Sequence, residues 1–214
     1  ELNKIFKKQK IKFMPNSNKS EMISSQNHIL DMSSSLLRVA SCLTKIANDL
    51  RWMNSGPISG LSEINLKALQ PGSSIMPGKI NPVIPEAVLM AAAQVTGNHS
   101  TINLSCLSGA FQLNTMLPIL AHNIIESFNI LISSVMSITE TLDTLTINHV
   151  SIKESLDRNP IIATKLNEVV GYDKAAQIVK QAYKTNKPIL EVAESMTELT
   201  KNQLQKLLDP KKLV

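Results

Sequence analysis

Residues 87–125 read AVLMAAAQVTGNHSTINLSCLSGAFQLNTMLPILAHNII, without one Asp, Glu, Lys or Arg, and through Thr139 the only charge is Glu126. Leu117, Leu120, Ile124, Phe128 and Leu131 follow one another at steps of three and four, the period of a helix face. Pro118 suits a first turn or a kink. A helix with no charged face must be covered on all sides. Two such helices in 214 residues leave too little other chain to wrap them. The expectation is therefore an obligate helical oligomer with these helices at its centre. Gln94, Asn98, Asn103, Gln112, Asn114, His122 and Asn123 are expected to pair between helices across the subunit interface.

Working outward, a further helix is expected from about Asp31 to about Met53. Leu36, Val39, Ala40, Leu43, Ile46, Ala47 and Leu50 give its apolar stripe, and Asn-Ser-Gly-Pro ends it. Residues 1–30 read as polar and irregular. Residues 54–83 hold four of the seven glycines and four of the ten prolines, a long loop of the kind that tends to carry function. Beyond Thr146 the composition changes, with 19 charges across residues 151–214 and breaks at Asn159-Pro160, Gly171, Lys187-Pro188 and Asp209-Pro210. The expected organisation is all-α: a partial central helical bundle over residues 1–146 and a small helical domain over residues 147–214.

Composition narrows the function classes. Aromatic residues make up 3%, which argues against stacking platforms for single-stranded nucleic acid. The net charge of +5 is local: Lys4, Lys7, Lys8, Lys10, Lys12 and Lys19 lie in the first twenty residues, a solvated basic segment. Cys42 and Cys106 form no CxxC and have no histidine at ligand spacing, so both read as free core thiols of a reducing compartment, with no metal site. Asn18, Asn98 and Asn103 each begin a glycosylation triplet; without a secretion signal these read as chance matches. The longest strictly apolar run, Ala87–Ala93, is too short for a bilayer. The expectation is a soluble, cytoplasmic chain that takes neither nucleic acid nor membrane as a partner.

The chemistry is concentrated in Gln70–Glu86, QPGSSIMPGKINPVIPE. Gly72, Ser73 and Ser74 free backbone N–H groups to face an anion. Lys79 adds a point charge, Asn81 a directional amide, and a helix is expected from about Val83. This is a carboxylate- or phosphate-binding pattern. It is not a P-loop, because five residues separate Gly72 from Gly78, Ile80 follows the lysine, and no strand is expected before it.

GSSIMPGKINP closely resembles the signature loop of the fumarase/aspartase superfamily, GSSxMPxKxNP. KIANDLRWMNSGP, GLSEINLKALQPGSS, PEAVLMAAAQVTGN, RNPIIATKLNEVVGYDKAAQIVKQAY and LDPKKLV are similar to class II fumarate hydratases. Gly78 also fits that group, whereas aspartate ammonia-lyases usually carry Ala there. The resemblance implies reversible anti addition of water to fumarate, giving L-malate in the tricarboxylic acid cycle. It gives Ser73 the part of carbon-proton base and sets Ser74, Lys79, Ile80 and Asn81 on the substrate carboxylates. Glu86 would orient the catalytic histidine of another segment; as a first-turn acid it also suits the helix macrodipole.

No cofactor or metal is implied. Class II fumarases are homotetramers that build each site from three segments of three subunits. Only the last of those segments lies in these 214 residues, so the chain reads as a C-terminal portion, expected to be inactive alone. His28, His99, His122 and His149 lack the family's Thr-His setting and read as packing or hydrogen-bonding residues. Another superfamily lyase, such as an aspartate ammonia-lyase, and a non-catalytic self-associating helical remnant are the alternatives.

Overall fold

A computed structural model describes residues 14–212 together with Lys4 and Lys7. Lys8, Lys10 and Lys12 of the basic run at the start of the chain lie outside the described residues. The structure is all-α apart from one pair of two-residue strands, as the spacing of apolar residues predicts.

Where the sequence reads as irregular, the structure has a helix. The seven-residue α1, Lys19–Ser25, is opened by Asn18, whose side chain accepts from the Glu21 N–H. It buries no residue and so leaves no apolar period to detect. Gln26 then adopts a left-handed conformation, φ 54°. Its Nε2 donates back to the Met22 and Ile23 carbonyls at 3.0 and 2.9 Å. The long α2, Asn27–Met53, starts there, four residues ahead of the expected Asp31. Its buried positions, Ser33, Ala40, Leu43, Ala47 and Leu50, keep to a single stripe.

Two further long helices follow the loop: α3, Val83–Cys106, and α4, Leu117–Thr144. Pro118 falls in the first turn of α4, where the absent N–H has no partner to lose. The two helices pack along each other. Ile102, Cys106, Leu120 and Ile124 form a core cluster against which Ile29, Leu30 and Leu36 of α2 also pack.

By length and composition α4 is apolar enough to cross a membrane. The strict apolar run misses it because Asn, Ser and Thr interrupt it throughout. Leu120, Ile124, Leu131 and Ile138 are buried on it beside Asn123, Ser127 and Ser134, and α4 is a core helix of the bundle.

Gln94, Asn98, Asn114 and Asn123 find partners within the chain. Gln94 donates to Asn98 at 2.9 Å, and Asn98 donates to Glu126 at 2.8 Å and to Ser127 at 3.1 Å. Asn114 donates to the Ser24 and Ser105 carbonyls, and Asn123 to Ile119 on its own helix. These amides are satisfied within one chain. A buried amide needs an acceptor, and here some lie on the same helix and others on a neighbouring one.

The chain divides into two compact units: residues to Arg51 with Leu66–Thr144, and Trp52–Asn65 with Leu145 onward. In the second unit β1, Ile64–Asn65, pairs antiparallel with β2, Thr146–Ile147. After β2 come α5 (His149–Arg158), a 3-10 segment (Pro160–Leu166), α6 (Asn167–Val170), α7 (Tyr172–Thr185), α8 (Ile189–Met196) and α9 (Lys201–Leu207). The chain breaks where Pro and Gly predict, and once more ahead of α9. Ile162, Leu166, Ile178, Ile189, Val192 and Leu204 make this unit's core.

Candidate functional site

Residues 66–82 contain no helix, and the candidate loop lies here, immediately before α3. It is drawn shut at its neck. The Gly72 N–H donates to the Lys79 carbonyl at 2.9 Å, and Asn81 Nδ2 donates to the Gly72 carbonyl at 2.9 Å. A Cβ on Gly72 would stand 2.4 Å from the Lys79 oxygen, so no larger residue allows the two limbs to meet. At the far end Gly78 takes φ +77°, a conformation in which Ala would be strained.

Within this frame Ser73 Oγ receives two backbone donors, the N–H of Ile75 and that of Met76, both at 3.2 Å. A serine followed by such a turn holds its oxygen against consecutive N–H groups. The hydroxyl is half-buried, while Ser74, Lys79 and Ile80 are exposed. The side chains of Ser74 and Lys79 form no hydrogen bond or ion pair among the described residues. The loop bounds a hollow of about 440 Å³ whose walls include Gln70, Gly72, Ser73, Met76 and Lys79. That volume is in the usual range for a small-molecule site.

Glu86 stands in the first turn of α3, half-buried. Its carboxylate has no partner among the described residues, and it is not bonded to Ser73 or Asn81. Gly72, the Lys79 carbonyl and the Asn81 amide are thus joined by direct hydrogen bonds, with Ser73, Ser74 and Ile80 on the same loop, while Glu86 stands one helical turn beyond. Sequence reasoning did not single out Ile75 and Met76 as the two donors to Ser73, or the neck from Gly72 to Lys79 and Asn81. The serine's position two and three residues before those amides was the available signal.

Among the histidines, His99 Nδ1 lies 2.9 Å from Ser33 Oγ, linking α3 to α2 in a hydrogen-bonding part.

A glycine-containing loop thus leads into a bundle helix, and a small helical unit follows later in the chain. Comparison with known proteins gives this arrangement a family. Residues 2–97 match the family described as Lyase, and residues 162–214 match the Fumarase C C-terminus. A class II fumarate hydratase of Xylella fastidiosa is 49% identical over 201 residues, covering 94% of this chain and 42% of that protein. One from Pseudomonas aeruginosa is also 49% identical, over 94% of this chain and 44% of its own length.

Among solved structures, a fumarate lyase:delta crystallin from Brucella melitensis superposes with a TM-score of 0.90 at 39% identity, over 98% of this chain and 45% of that one. The class II fumarase of Schistosoma mansoni gives 0.85 at 30% identity, over 99% and 46%. The chain belongs to the class II fumarase/fumarate lyase family. It spans less than half the length of the relatives it matches.

Proposed function

We propose that this chain is the C-terminal part of a fumarate hydratase, acting in the reversible anti hydration of fumarate to L-malate. The observation that carries the reading is the pair of backbone N–H groups on Ser73 Oγ. A serine hydroxyl is a weak base, and as an alkoxide it needs fixed donors to hold its charge. In the malate-to-fumarate direction, Ser73 takes the proton from the carbon next to a carboxylate. The electron pair collects on that carboxylate as an aci-carboxylate, then forms the double bond as the hydroxyl leaves as water. The leaving hydroxyl takes its proton from an acid that the family places on a Thr-His segment.

Lys79 and Ser74, whose side chains have no partner among the described residues, are assigned to the substrate carboxylates, with Asn81 and the main chain of Ile80 beside them. Preorganised charge of this kind stabilises the transition state more than the bound substrate. Glu86 is assigned to the catalytic histidine that another segment supplies.

The partner proposed is further copies of the chain, assembled as a homotetramer with sites shared between subunits. Ile125, Ile132 and Met136 on α4 are exposed in one chain, an apolar face that suits burial against another copy. The compartment proposed is the cytoplasm.

The test is fumarate-to-malate conversion by the purified chain, alone and with the N-terminal portion of a class II fumarate hydratase added. The chain alone is expected to be inactive, the complemented form active, and Ser73→Ala in the complemented form inactive. Undiminished turnover with Ser73→Ala would overturn the assignment of the base.

A further inference from the structure

Asn81 carries a hydrogen bond that a residue reserved for substrate would not need. Its Nδ2 reaches back nine positions to the Gly72 carbonyl at 2.9 Å. The Gly72 N–H is tied to Lys79 on the same limb. Both hydrogen-bonding groups of Gly72 are therefore fixed, one by main chain and the other by the Asn81 amide. The Gly72 carbonyl belongs to the peptide plane that leads into Ser73, and that plane is rigid. Holding the carbonyl sets the direction in which the Ser73 residue leaves the neck. The Ser73 side chain then meets the Ile75 and Met76 N–H groups.

We propose that Asn81 is a positioning residue for Ser73, clamping the peptide ahead of it so that Oγ sits under its two donors before any substrate arrives. The catalytic half of this inference rests on the reading of Ser73 as the base; the structural half does not. The residue type is demanded by chemistry. A donor must face the Gly72 oxygen. Leu, of nearly the same shape, leaves the carbonyl without a partner, and ionised Asp sets two acceptors against each other. One Nδ2 hydrogen serves Gly72, and the amide has a second, so clamping and substrate contact are compatible.

Two measurements test the clamp on the 214-residue chain and its Asn81→Leu and Asn81→Asp variants. The first is amide hydrogen exchange at Ile75 and Met76, neither of which Asn81 touches. Both amides are expected to exchange about tenfold faster in the variants, while Val95 and Ile102 in α3 keep the wild-type rate. Unchanged exchange at Ile75 and Met76 would overturn the proposal.

The second is turnover in the complemented enzyme. A positioning role lowers kcat about a hundredfold, the scale on which small misplacements act, whatever the lost substrate contact adds to KM. A raised KM at unchanged kcat would make Asn81 a substrate contact only and overturn the proposal. Absence of turnover with Asn81 intact would overturn the hydratase reading alone, and the exchange result would still decide the clamp.

Discussion

Asn98 of α3 donates to Glu126 of α4 across 2.8 Å, joining the one charge of residues 87–139 to an amide that is itself buried. The same amide nitrogen reaches Ser127 at 3.1 Å. Replacing Asn98 with Ala strips a half-buried carboxylate of its donor. The cost expected is about 2 kcal/mol, the range for hydrogen bonds to charged groups. Thermal denaturation would register it as a fall of several degrees, and Asn98→Asp should be worse, because it sets two carboxylates together.

Gly72→Ala drives a methyl group into the Lys79 oxygen. The limbs of the loop must part, and Ser73 then loses the alignment it has with Ile75 and Met76. Turnover by the complemented enzyme is expected to fall about a hundredfold. The melting temperature should hardly move, because the loop adds no residue to the bundle core. Assay and melt on the same preparation check both halves.

The two thiols differ in reach. Cys42 is exposed and Cys106 is buried. Burial pushes the Cys106 thiol above its ordinary range, and a backbone hydrogen bond from Leu30 offsets part of this. The group is raised in the folded state. Its contribution to stability is therefore full below the ordinary thiol range and is lost as pH rises through the folded value. Denaturant midpoints should fall on the alkaline side, and Cys106→Ala should flatten that slope. A disulfide reagent at neutral pH is expected to react promptly with one thiol of the two, and with the second only after unfolding.

Ile132 and Met136 lie one turn apart on the exposed face of α4. With both changed to Lys, sedimentation velocity should report a smaller species than wild type at equal concentration, with helix content unchanged by circular dichroism. Equal sedimentation would remove this face from the assembly.

Thr200 opens α9 with a reciprocal cap: its hydroxyl accepts from the Gln203 N–H, and the Gln203 side chain accepts from the Thr200 N–H. Thr200→Ala should cost about 1 kcal/mol, measured by urea denaturation.

Helix faces built on Leu, Ile and Ala at steps of three and four are legible without coordinates, and α2, α3 and α4 follow them. The partner that each buried amide meets is not. Asn98 and Glu126 stand 28 positions apart, and spacing within one helix says nothing of which neighbour will be opposite. The seven-residue α1 is silent for another reason: it buries nothing, so only Asn18 as a cap marks it. The hinge at Gln26 is hidden because a left-handed turn there is held by a side chain rather than by glycine. The break before α9 was within reach, since Thr200-Lys-Asn-Gln203 is a capping signature.

At the site, the residue types of the loop announce an anion. Which amides meet Ser73 is a matter of turn geometry, and that became visible only with the backbone in place.

Apart from the Val83 N–H on the Asn81 carbonyl, the hydrogen bonds found at Gly72, Ser73 and Asn81 among the described residues begin and end between Gly72 and Asn81. Such a segment is a portable cassette: its form is spelled by its own letters and borrows little from what surrounds it. Grafted between two helices of an unrelated scaffold with its ends held at the same separation, it should keep its turn and its poised hydroxyl.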